Sequence, residues 1–148
     1  MEKKFIRVRS VKDIIICATL LTAGSVLVAL PTSTSINILG FFMIFAGIIL
    51  MVFMKTGYKD EQSGERFSKE EIFFDKSRQA EISRAIPVKL CASDLKDANI
   101  GNGIRLDIYY SKASGKGYVQ LFEYVPYKYE PCSAMYEHDY DNISDILK

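Results

Sequence analysis

Two stretches of this chain, Ile14–Leu30 and Ile36–Met54, contain no Asp, Glu, Lys, Arg or His, and only Pro31-Thr-Ser-Thr-Ser35 separates them. As helices, at about 1.5 Å per residue, they reach roughly 25–29 Å, close to the ~30 Å hydrocarbon core of a bilayer. Both are apolar all round, so neither is the one-sided helix of a water-facing surface. Residues 55–148 are too few and too polar to wrap two such helices on every side. The pattern therefore predicts a membrane protein: a two-helix transmembrane hairpin over 14–54 (helices 14–30 and 36–54, loop 31–35), followed by a small α+β domain.

The N-terminal basic segment, residues 1–13, resembles the start of a secretory signal. Against that reading, the first apolar run is long for a signal core, and a second apolar run follows it. Lys3, Lys4, Arg7, Arg9 and Lys12 precede the first run, and Lys55, Lys59, Arg66 and Lys69 follow the second, while the connection between the runs carries no charge. The positive-inside rule then places both termini in the cytoplasm and the loop outside, for a two-span protein of the cell membrane.

A short connection makes the helices antiparallel neighbours. Ala18, Thr22, Ser25 and Ala29 form one small-residue stripe on the first helix, and Gly40 and Gly47 share a face of the second. Small residues let backbones approach in lipid, so these six are the predicted packing contact, with Leu20, Leu27, Phe42, Phe45 and Ile49 turned outward. No intramembrane charge or polar stripe suggests a pore. The three cysteines, Cys17, Cys91 and Cys132, fit a reducing compartment and form no Cys-x-x-Cys motif.

Beyond the hairpin, residues 55–69 are polar, contain Gly57 and Gly64, and read as a linker. A domain over 70–132 follows. Ile72-Phe73-Phe74 predicts a short strand at 70–74, and Asp75 caps a helix at 76–86 with Ala80, Ile82 and Ile86 as its apolar positions. A single helix over 69–86, opened by a Ser68–Glu71 capping box, is the alternative. Pro87 ends either version. Ser93 opens a helical turn, and Gly101-Asn-Gly103 is a turn. Ile104, Leu106, Ile108 and Tyr110 alternate with Arg105, Asp107 and Tyr109, which marks a half-buried strand. The loop 112–117 then leads to a second strand, Tyr118–Val125, ended by Pro126. The expected domain is an antiparallel sheet of about three strands with one or two helices. Residues 133–148 read as an acidic tail with at most one helical turn near Asp141.

Little in the sequence points to catalysis. Ser114-Gly-Lys-Gly117 lacks the leading glycine and the Ser or Thr of a phosphate-binding loop. His138, the single histidine, lies between carboxylates in what reads as a tail, where a metal site lacks rigid support. Asp94 with Asp97, and Glu70 with Glu71, are pairs in sequence only. No cofactor and no metal is expected. Of nineteen basic residues five precede residue 55, and of eighteen acidic residues two do, leaving 14 against 16 in the remainder. That balance disfavours nucleic acid as a partner.

Tyrosine is the one enrichment: eight of nine fall between Tyr109 and Tyr140. Tyrosine combines a large contact area with a polar tip, so Tyr109, Tyr118, Phe122, Tyr124, Tyr127 and Tyr129 are the candidate interaction surface. The expectation is a non-enzymatic interaction or scaffold module held at the lipid bilayer, with a protein partner or further copies of itself. The alternatives are an accessory subunit of a larger membrane complex (transporter or secretion) and, less favoured, a membrane-bound enzyme using Cys91, Cys132 or His138.

Overall fold

The computed structural model describes residues 3–147. The chain divides into two compact units, Ile6–Tyr58 and Met1–Phe5 with Lys59–Lys148.

The first unit is a helical hairpin. α1 (Val11–Ala29) and α2 (Thr34–Phe53) are both long and apolar enough to cross a membrane. Ser10 caps α1: its hydroxyl accepts from the Asp13 amide at 3.2 Å, and the Asp13 carboxylate accepts from the Ser10 amide at 2.9 Å. This reciprocal box satisfies two of the amides that a helix start leaves open. Asp13 is 0% exposed and also accepts from the Thr56 amide (2.9 Å) and the Thr56 hydroxyl (2.6 Å). One carboxylate thus clasps the start of α1 to the chain leaving α2.

The helices meet through glycines. A Cβ on Gly24 would lie 2.7 Å from the Gly40 carbonyl oxygen, and one on Gly40 would lie 2.8 Å from that of Gly24, so each backbone occupies the space a side chain would need. Lower on the pair, Leu21 closes over Gly47. The α1 half of the contact differs from the small-residue expectation. Ala18, Thr22, Ser25 and Ala29 are exposed, and the face turned to α2 carries Cys17, Leu20, Leu21, Gly24, Leu27 and Val28. Leu20 and Leu27, expected to point outward, instead lie against Gly47 and Gly40. The reason is geometric: α2 supplies notches, so α1 fits large side chains into them around its own single glycine. Phe42, Phe45 and Ile49 do point outward.

The second unit is built on an antiparallel sheet, larger than the three strands expected. Among the described residues seven strands run in the order β1-β2-β3-β4-β5-β6, with β7 also paired to β5; most of β1 and the first half of β2 are counted in the first unit. They are β1 (Phe5–Val8), β2 (Gly57–Asp60), β3 (Arg66–Phe74), β4 (Ile104–Ser111), β5 (Lys116–Val125), β6 (Lys128–Pro131) and β7 (Tyr136–Asp139). Residues 55–69 are therefore not an irregular linker, since β2 and the first half of β3 lie there. Glycine and charge concealed this: the β2–β3 turn is built on Asp60, which is 1% exposed and accepts from the Gln62 and Ser63 amides, the Ser63 hydroxyl and Lys3.

Register puts two faces on the sheet. Ile72 opposes Leu106 and Leu106 opposes Leu121, so Ile72, Phe74, Ile104, Leu106, Ile108, Val119 and Leu121 share the core face. Against it pack Ile82 and Ile86 of α3 (Gln79–Ala85) and the turn after it, together with Leu90. The strand-then-helix order over 70–86 holds, with the strand beginning earlier, at Arg66, and a 3-10 turn (Lys76–Arg78) entering α3. Asp75 caps that turn through the Ser77 amide.

The chain end is not a frayed tail. β7, α4 (Tyr140–Ile143) and the 3-10 turn after it (Ser144–Ile146) bring Ile143 and Ile146 into the core. A Cβ on Gly117 would overlap the Ile143 side chain, so glycine in β5 makes the seat for α4. β6 and β7 share the outer edge of β5, pairing with 122–125 and 116–119 respectively. At the gap between them the Ser133 hydroxyl accepts from the Leu121 amide at 2.9 Å, replacing a ladder bond.

Candidate functional site

The core face of the sheet is filled by aliphatic side chains, which leaves the chemistry to the opposite face. Alternation in β3, β4 and β5 places Phe67, Lys69, Glu71 and Phe73, then Arg105, Asp107 and Tyr109, then Tyr118, Gln120, Phe122 and Tyr124 on that face. The face has three zones.

At one end lies a ring cluster. Phe5 stacks on Tyr109 with centroids 4.1 Å apart and meets Phe67 edge-on at 5.2 Å, and Tyr118 lies 5.6 and 5.7 Å from Phe5 and Phe67. Such packing contributes beyond area burial. Two residues of the expected interaction surface are thereby relocated. Tyr118 is 3% exposed and Tyr109 is stacked, so both serve the interior of this unit. Phe5, far away in sequence, is what covers them.

In the middle lies a charge chain. Asp107, 1% exposed, accepts from Lys69 Nζ at 2.9 Å and from Arg105 Nε and Nη2 at 2.7 and 3.1 Å, and Lys69 also reaches Glu71 at 2.5 Å. Burial pushes the Asp107 carboxyl above its usual range, against the pull of Lys69 and Arg105. Burial also opposes the Lys69 ammonium, but its bonds to Glu71 and Asp107 more than offset this and raise its pKa. The two cations and two anions balance, so this zone is a structural network with no charge left for a ligand.

At the far end the face opens. The Arg105 guanidinium lies between two rings, 4.9 Å from the centre of Phe122 and 4.8 Å from that of Tyr129. Tyr129 in turn meets Phe73 at 6.0 Å and Tyr124 at 5.3 Å, and its hydroxyl donates to the Asn102 carbonyl at 2.8 Å. Rigid aromatics locked by an arginine and a backbone bond form a pre-ordered platform with a half-exposed Tyr124 on it. Phe73 and Arg105, absent from the expected surface, belong to it. The alternation of β3 with β4 carries that signal once the register is known.

The β5–β6 turn caps this end. It consists of Pro126 and Tyr127, and Tyr127 is 98% exposed at φ 72°. Pro followed by a left-handed residue is the pattern of a type II turn, whose second position calls for Gly or Asn. A fully exposed aromatic in a conformation that costs about 1–2 kcal/mol is a local conflict of the kind found at functional positions.

The remaining candidates fall elsewhere. His138 is buried and its Nε2 donates to the Ile86 carbonyl at 2.7 Å, so it joins β7 to the end of α3 and does not sit in a solvated tail. Cys91 is exposed and Cys132 half-buried, with burial pushing the Cys132 thiol up. No group of three or more His, Cys, Asp or Glu side chains converges to hold a metal among the described residues. A groove of about 450 Å³ is lined by Glu70, Ile72, Leu95, Asp97, Ile100 and Ile146. Its wall is held by Asn99, whose amide donates to the Phe73 carbonyl at 2.6 Å.

No family model, curated protein or solved structure matches this chain.

Proposed function

We propose that this chain is a non-enzymatic interaction module of the cell membrane. Its hairpin crosses the bilayer twice with both termini in the cytoplasm, and its sheet unit presents the Phe73–Arg105–Phe122–Tyr124–Tyr129 platform and the Tyr127 turn to a protein partner. One observation carries the membrane part. The outward faces of both helices are formed by large apolar side chains, among them Ile15, Val26, Phe41, Phe42, Phe45 and Phe53, all more than half exposed. A continuous apolar surface of that kind is stable against lipid and not against water. Anchoring confines the sheet unit to the membrane surface and raises its effective concentration there.

The platform supports the partner part, because ordered Tyr, Phe and Arg side chains lose little entropy on docking. Photo-crosslinking from position 127 in native membranes tests it. The expected result is a discrete adduct that disappears when Tyr124 and Tyr129 are both replaced by serine, while the protein stays in the alkali-resistant membrane fraction. No adduct, or one indifferent to those replacements, contradicts the platform. Extraction by alkali contradicts the anchor.

The accessory-subunit reading is supported by a separate observation. Ala18, Thr22, Ser25 and Ala29 form a small-residue stripe on the side of α1 that α2 leaves open, the kind of surface against which another helix packs closely.

A further inference from the structure

The basic residues around the N-terminal segment fall into two groups. Lys3 and Lys4 are neutralised within the sheet unit by Asp60 (2.7 Å) and Glu61 (3.4 Å). Arg7, Arg9, Lys12 and Lys55, all in the hairpin unit, make no ion pair among the described residues. The acid in that unit, Asp13, is fully buried and spends its oxygens on Ser10 and Thr56, so it neutralises none of them.

The four cations converge on one end of the hairpin. The Arg9 Nη2 donates to the Met51 carbonyl in the last turn of α2. The Thr56 bonds to Asp13 bring Lys55 beside the first turn of α1, where Lys12 is exposed. A Cβ on Gly57 would lie 3.1 Å from the Val8 carbonyl oxygen, which sets the segment carrying Arg7 alongside the chain leaving α2. The opposite end of the hairpin, Pro31–Ser35, has no charge.

We propose that Arg7, Arg9, Lys12 and Lys55 form a collar that binds anionic phospholipid headgroups where the two helices leave the bilayer. The inference rests on the membrane reading above. A phosphodiester matches the site because it supplies the negative charge that the collar lacks and acceptor oxygens for guanidinium and ammonium donors. Asp13 already occupies the N-terminus of α1, so the binding group is the set of side-chain cations. Juxtamembrane cations attract anionic lipid by about 1 kcal/mol each, which is about fivefold in affinity per charge.

The test uses the full chain reconstituted in nanodiscs made from equal amounts of phosphatidylcholine and phosphatidylglycerol. Lipids retained after transfer to mild detergent are then counted by native mass spectrometry. The wild type is expected to keep phosphatidylglycerol over phosphatidylcholine. R9Q/K12Q/K55Q is expected to lose that preference, and R9K/K12R/K55R, which keeps the charge, to retain most of it. K89Q/K96Q/K112Q, an equal change of net charge on exposed lysines of the sheet unit, is expected to behave as wild type. Equal retention of the two lipids by the wild type, or equal losses in the two neutralised variants, overturns the collar. Failure of the wild type to enter nanodiscs at all overturns the membrane reading itself and the collar with it.

Discussion

The two units of this protein bury opposite things. In the sheet unit the largest fully buried side chains are Phe74, Leu90, Leu106, Leu121 and five isoleucines, and the surface is charged and polar. In the hairpin the buried positions are Asp13, Cys17 and Gly24 on α1 and Gly40 and Gly47 on α2, while phenylalanines and isoleucines face outward. Charge follows the same division. Several cations of the sheet unit meet carboxylates, as Lys69 and Arg105 meet Asp107, whereas among the described residues Arg7, Arg9, Lys12 and Lys55 of the hairpin unit form no ion pair. The two packing patterns differ in the way that the proposed membrane anchoring requires. In water the expulsion of apolar area drives the core together. In lipid that drive is absent, and close backbone approach takes its place.

Truncating one phenylalanine in each unit should break this symmetry most visibly. Phe74→Ala is expected to destabilise the sheet unit by about 3–5 kcal/mol, because it empties a fully buried site. Phe45→Ala, on the outward face of α2, should change stability by less than about 0.5 kcal/mol. Thermal unfolding of each variant of the full chain in detergent reads both. Comparable losses would mean that Phe45 packs against protein.

The next contrast lies inside the hairpin. Gly40→Val should force the helix backbones apart at Gly24 and cost about 1–3 kcal/mol. Ser25→Leu, on the open stripe, should leave the α1–α2 contact intact. A disulfide between cysteines placed across the contact measures the separation; it should form in Ser25→Leu and fail in Gly40→Val.

A pH titration sharpens the comparison of charges. Burial alone would raise the Asp60 carboxyl, but Lys3, the Ser63 hydroxyl and two backbone amides hold it well below the usual carboxylate value. A carboxyl lowered by folding contributes stability that is full above its unfolded pKa, about 4, and disappears as pH falls toward its folded value. Asp107 has the opposite sign: raised by burial, it makes stability fall as pH rises through its folded value. Melting of the full chain against pH should therefore weaken on the acid side in the wild type, and less steeply in Asp60→Asn. An unchanged acid limb in that variant would remove Asp60 from the account.

The smallest effect concerns the turn. Tyr127→Gly should raise stability by about 1 kcal/mol by relieving the left-handed conformation, and should weaken partner crosslinking. A gain in stability with crosslinking unchanged would reduce Tyr127 to an ill-fitting turn residue.

What could be read from the sequence follows from how strongly each signal is periodic. The uncharged runs and the alternation from Ile104 to Tyr110 state their structure directly, and α1, α2, β4 and β5 lie where those patterns put them. The end of the chain does not announce itself: Ile143 and Ile146 are two apolar residues among carboxylates, and only the space over Gly117 shows why they are buried. Nothing local marks the Asp13 contact, because Asp13 stands one residue outside the apolar run and its partner Thr56 is far along the chain. The small-residue stripe of α1 and the Gly24 face are both compatible with close packing, and only the partner's notches choose between them. Tyr118 and Tyr127 belong to one tyrosine-rich segment, yet one is covered by Phe5 and the other stands free; composition does not distinguish them.

The proposed solvent of the hairpin's outward face is lipid, and collision of spin labels with oxygen and with a water-soluble nickel chelate tests this most directly. With the native cysteines replaced, labels at positions 42, 45 and 52 of the reconstituted chain should collide often with oxygen and rarely with nickel, and labels at 88 and 127 in the sheet unit should show the reverse. Free access of nickel to positions 42 and 45, or protection of those positions from both reagents, would contradict the account.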